Sequence, residues 1–63
     1  MDIGQSIRNA LEARGLTYEQ FAELLGVSRQ RAHTIAKSKD LKLSTIEKVS
    51  DALDIRIEYL IQA

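Results

Sequence analysis

A glycine placed between two helix-start signals does most to limit what this chain can fold into. From Leu16 to Ser38 the sequence reads Leu-Thr-Tyr-Glu-Gln-Phe-Ala-Glu-Leu-Leu-Gly-Val-Ser-Arg-Gln-Arg-Ala-His-Thr-Ile-Ala-Lys-Ser. Thr17 and Gln20 have the spacing of a capping box, and Leu16 and Phe21 that of a hydrophobic staple, so a helix is expected to start at Tyr18. Phe21, Leu24 and Leu25 then fall at the three- and four-residue spacing of a core-facing stripe. Gly26 follows, where a helix commonly ends in the left-handed conformation that glycine adopts without steric cost. Val27 is expected to pack beneath that turn, and Ser28 is a favourable N-cap for a second helix from Arg29 to about Ser38. In that helix Ala32, Ile35 and Ala36 turn inward, and Ala22 on the first is small enough to let the pair cross closely.

The remainder reads as helix and short turns. A leading helix is expected after Asp2, with Gln5 completing a capping box, Ile3, Ile7 and Leu11 forming its buried stripe, and Gly15 ending it after Arg14. Beyond a polar connection from Ser38 to Leu43, Ser44 with Glu47 has the pattern of another capping box, opening a helix whose inner face is Ile46, Val49 and Leu53. A short fifth helix from Ile57 to Ile61 is expected to close the core through Ile57 and Leu60, and the brief alternation from Ile55 to Ile57 reads as a turn. With no proline, no low-complexity tract and no internal repeat, residues 1–63 are expected to form a single domain.

Sixty-three residues lie near the lower limit for folding without a disulfide or a metal. The chain has no cysteine, which removes disulfides and thiolate metal sites and fits a reducing, cytoplasmic setting. There is no basic segment followed by an apolar run, and no stretch nears the ~20 apolar residues of a membrane span, so no membrane association is expected. The formal net charge is zero, which taken alone argues against nucleic acid. Its distribution argues the other way. Arg29, Arg31, Lys37, Lys39 and Lys42 stand against Asp40 alone, and the rest of the chain carries the balancing acidic excess. One face of such a molecule can turn to DNA while its other surfaces avoid it. His33 is the single histidine and has carboxylates only on another helix, at Glu19 and Glu23, so neither an enzyme, a metal site nor a cofactor is expected.

The arrangement resembles the helix-turn-helix of the phage repressor and Cro family, the lambda-repressor-like DNA-binding domains. The likeness is carried by Ala22, Gly26, Val27, Ser28 and Ile35, by the Gly15-Leu16-Thr17 lead-in, and by the segments Leu43 to Lys48 and Ala52-Leu53. It covers the chain from about Ile7 to Leu60. Tyr18 stands where the family often has a phosphate-touching glutamine, and Ala32 where valine or isoleucine is usual. The resemblance implies an all-α, five-helix domain that binds double-stranded DNA as a transcriptional regulator, a phage or bacterial repressor of the Cro type. It also implies a homodimer on a palindromic operator, formed through the fifth helix and the turn before it, where Ile55, Ile57, Tyr59 and Ile61 supply apolar surface.

Within that frame, Arg29 and Gln30 stand at the N-terminal end of the recognition helix, where base contacts concentrate. Arginine can grip the acceptor pair of guanine and glutamine the mixed edge of adenine. His33 and Thr34 share the same outer face, and Thr34 is in register with a base-contacting position of the family. Thr17 and Ser28 head helices whose free N–H groups favour phosphate. Arg31, Lys37, Lys39 and Lys42 can reach the backbone on either side of the groove, and Tyr18 either donates its hydroxyl to a phosphate or packs as a partly buried tyrosine. The competing reading is a protein-interaction module on the same fold, such as an antirepressor, an antitoxin fragment or an adaptor.

Overall fold

The computed structural model describes residues 2–61, and over that span the chain is five helices joined by short turns: α1 (Ile3–Arg14), α2 (Tyr18–Leu25), α3 (Arg29–Lys37), α4 (Leu43–Leu53) and α5 (Ile57–Ile61). Three of the four longer helices end in the same way. Gly15 (φ 66°), Gly26 (φ 72°) and Asp54 (φ 54°) are left-handed, and the next N–H turns back to a carbonyl of the last helical turn: Leu16 to Leu11 at 2.9 Å, Val27 to Ala22 at 3.0 Å and Ile55 to Ser50 at 3.0 Å. Each closure satisfies carbonyls that would otherwise lack a donor and reverses the chain sharply.

The apolar stripes meet in one core. Ile3, Ile7, Ala10 and Leu11 of α1 pack with Phe21 and Ala22 of α2, Ala32, Ile35 and Ala36 of α3, Ile46, Val49 and Leu53 of α4, and Leu60 of α5. Phe21, Ile7, Leu60 and Val49 are the largest side chains buried completely, and complete burial of such a side chain contributes about 1.5–3 kcal/mol. α3 lies between α1 and α2, while α4 and α5 close the opposite side. Arg14 ties the ends together: its Nε donates to the Leu53 carbonyl at 2.8 Å and its Nη2 to the Asp54 carbonyl at 3.2 Å, completing the end of α4 from α1.

Several local expectations are corrected. Asp2 does cap α1, accepting from the Gln5 N–H at 3.0 Å, but Gln5 does not return the bond. Its side chain is held by Asn9 at 3.1 Å and Arg8 at 2.9 Å instead. No box forms between Ser44 and Glu47: α4 starts two residues early, at Leu43, with Lys42 as an N-cap that makes no side-chain bond. Leu24 is 52% exposed. The stripe of α2 centres between Phe21 and Ala22, and at about 100° per residue Leu25 lies within it while Leu24 points roughly a quarter turn away. Val27 is not tucked beneath its turn but sits at the rim of a crevice with Leu25 and Ile35. α3 stops at Lys37, and Ser38 follows as an extended cap residue.

Candidate nucleic-acid interface

The start of α2 is fixed by a complete reciprocal box. The Gln20 N–H donates to Thr17 Oγ1 at 3.1 Å, and the Thr17 N–H donates to Gln20 Oε1 at 2.9 Å. The start of α3 is fixed by Ser28, whose Oγ accepts from the Arg31 N–H at 3.1 Å. The inward packing of Ala32, Ile35 and Ala36 then decides what faces out. Arg29, Gln30, Arg31, Thr34 and Lys37 are exposed, as are Lys39 and Lys42 beyond the helix.

Two side chains of α3 are less free than the sequence suggests. The Thr34 hydroxyl donates to the Gln30 carbonyl at 3.1 Å, so its methyl group and oxygen lone pairs are what remain for a partner. His33 is half-buried and its ring lies on Tyr18, with centroids 4.0 Å apart and planes tilted by 33°. Tyr18 and His33, read from the sequence as separate contacts, thus form one aromatic pair that docks α3 on α2. Arg29 and Tyr18 also line an open groove with Thr17, Glu12, Glu19 and Arg8.

The four apolar residues of the C-terminal region divide. Ile55 and Ile57 are half-buried against the core, whereas Tyr59 is 49% and Ile61 37% exposed. Exposed apolar surface occurs elsewhere too, at Leu24, Val27 and Leu43.

The far end of α3 is built by α1. Arg8 Nη1 donates to the Ala36 carbonyl at 2.7 Å, the Gly4 N–H to the Ser38 carbonyl at 2.7 Å and the Ile3 N–H to the Lys39 carbonyl at 3.2 Å. Neither Arg8 nor Gly4 stood out in the sequence. Arg8 gives no local sign of a partner twenty-eight positions away. Gly4 does carry one, since glycine inside a helix is unfavourable and often marks a close backbone approach.

Comparison with known proteins agrees with this geometry. A helix-turn-helix family model matches residues 7–60. No curated protein sequence matches the chain. Among solved structures, the restriction-modification controller protein C.AhdI from Aeromonas hydrophila is similar with a TM-score of 0.82 and 32% identity, over 94% of this chain and 91% of that one.

Proposed function

The chain belongs to the helix-turn-helix family and is a DNA-binding transcription regulator rather than an enzyme, and from that premise we propose that it is a small Cro-type repressor reading a palindromic operator with α3. The outer face of α3 carries this reading: Arg29 and Gln30 stand free at its first turn, Thr34 one turn on, and cations flank the helix at Arg31, Lys37, Lys39 and Lys42. Arg29 takes the guanine acceptor pair and Gln30 the adenine edge. Thr34 presents its methyl to thymine, and His33 reaches a base edge from its seat on Tyr18. The N-terminal turns behind Thr17 and Ser28 receive phosphates, with Tyr18 and the four cations on either side.

A helix of nine residues is about 13 Å long and touches only a few base pairs. Two copies related by a dyad place their recognition helices in major grooves about 34–36 Å apart. Tyr59 and Ile61, both exposed, supply the homodimer surface together with the half-buried Ile55 and Ile57. The domain carries all of these parts within residues 1–63 and acts in the cytoplasm, where its DNA lies. A second reading, a restriction-modification controller, is favoured by the 32% identity with C.AhdI across nearly the whole of both chains. It changes the genes regulated and not the site.

Selection of bound duplexes from a random library tests the proposal. A palindrome bound by two chains is expected, and Arg29→Ala or Gln30→Ala relaxes base preference and costs about 1–3 kcal/mol on the selected site. Lys39→Ala weakens all duplexes alike. Binding that selects no sequence and does not fall with salt would refute the reading in favour of a protein-docking module.

A further inference from the structure

Resting on α3 as the base-reading helix, we propose that Arg8 and Gly4 are positioning residues of the DNA site, fixing the far end of α3 and hence the aim of its outer face without touching DNA. α1, α2 and α4 finish on their own left-handed residues, whereas α3 does not. Ser38 is extended, at φ −78° and ψ 138°, and the carbonyls of Ala36, Ser38 and Lys39 receive their donors from Arg8, Gly4 and Ile3 of α1. The positive end of one helix thus completes the negative end of another.

The contact leaves no slack. A Cβ on Gly4 would lie 2.6 Å from both the Ala36 and the Ser38 oxygens, and these are backbone atoms that cannot rotate away. Arg8 is braced in turn, its Nη2 donating to Gln5 Oε1 at 2.9 Å. Ile7 and Leu11, which share this face of α1 with Gly4 and Arg8 at helical spacing, anchor it in the core. α3 is therefore set at its front by the Ser28 cap and at its back by a rigid neighbour. Bidentate base contacts need placement to within about 0.5 Å, whereas long lysines follow a phosphate through larger errors. Loss of the rear support should reduce discrimination between sequences far more than general affinity for DNA.

The experiment compares binding to the selected duplex and to a scrambled duplex over a salt series, at temperatures where circular dichroism shows each variant folded. Arg8→Met keeps the stem and removes the donors. It is expected to lower affinity for the selected duplex about tenfold and for the scrambled one less than about twofold, with an unchanged salt slope. Arg8→Lys, which keeps a donor for the Ala36 carbonyl, recovers most of the loss. Gly4→Ala, which changes no charge, gives the same selective loss. Should Arg8→Met fail to fold, Arg8→Gln carries the comparison. Equal losses on both duplexes with a shallower salt slope would make Arg8 a phosphate contact, which its place in the groove beside Arg29 permits, and overturn the proposal. Unaltered discrimination in the Arg8 variants and Gly4→Ala would overturn it as well. Absence of discrimination by the parent protein would instead remove the reading of α3 on which it rests.

Discussion

At the start of α2, Thr17 and Gln20 exchange two hydrogen bonds; at the start of α4, Ser44 and Glu47 stand at the same spacing and no such box forms. The difference lies in the apolar residues around them. In α2 the staple positions are Leu16 and Phe21, which place the cap on Thr17. In α4 a cap on Ser44 would put the staple on Leu43 and Lys48, one of them charged. A cap on Lys42 puts it on Leu41 and Ile46, both packed in the core. Burial of the staple outweighs the polar box, so α4 starts where its apolar residues need it to and leaves its cap position without a side-chain bond. Where box and staple agree the start is legible, and where they disagree the staple decides.

The largest effect expected from this comparison is in the staples. Phe21→Ala should cost about 3–5 kcal/mol and Ile46→Ala about 2–5 kcal/mol in denaturant melts, because both side chains are buried in the same core. A small loss at Ile46 would break the argument for α4. Gly26→Val comes next. A Cβ there meets open space, so the cost is the strain of a β-branched residue at φ 72°, about 1–3 kcal/mol by thermal melt. The caps themselves give the sharper contrast. Thr17→Ala should lose about 0.5–2 kcal/mol, while Ser44→Ala should stay within about 0.5 kcal/mol of the parent.

The same contest explains how far the sequence could be read. Periodicity located all five helices, because each stripe has one core to face: Ile3, Ile7 and Leu11, or Ile46, Val49 and Leu53, are buried as their spacing requires. It misplaced Leu24, since an eight-residue helix touching two neighbours has a narrow stripe whose centre depends on both. The outward set on α3 follows from Ala32, Ile35 and Ala36 turning in, and so was legible. The pairing of His33 with Tyr18 was not, nor was the support of α3 by Arg8 and Gly4, because these join elements whose approach is fixed only after the core forms.

The one stabilising effect expected concerns the cap that α4 lacks. Lys42 has φ −64° and ψ 148°, close to the φ −69° and ψ 158° of Ser28, which caps α3 by accepting from the N–H three residues on. A serine at position 42 therefore has the backbone it needs to offer its Oγ to the Thr45 N–H, which now donates to the Lys42 carbonyl at 3.0 Å. Lys42→Ser is expected to raise stability by about 0.5–1 kcal/mol in a thermal melt. If Lys42 meets a phosphate, the same substitution should weaken every duplex alike and reduce the salt slope by about one. Opposite changes in stability and binding would show that the cap is given up for a charge at the DNA face, a trade common at functional sites. A rise in stability with binding unchanged would remove Lys42 from the interface, and no rise would show that its bond to the Lys42 carbonyl leaves the Thr45 N–H nothing to gain.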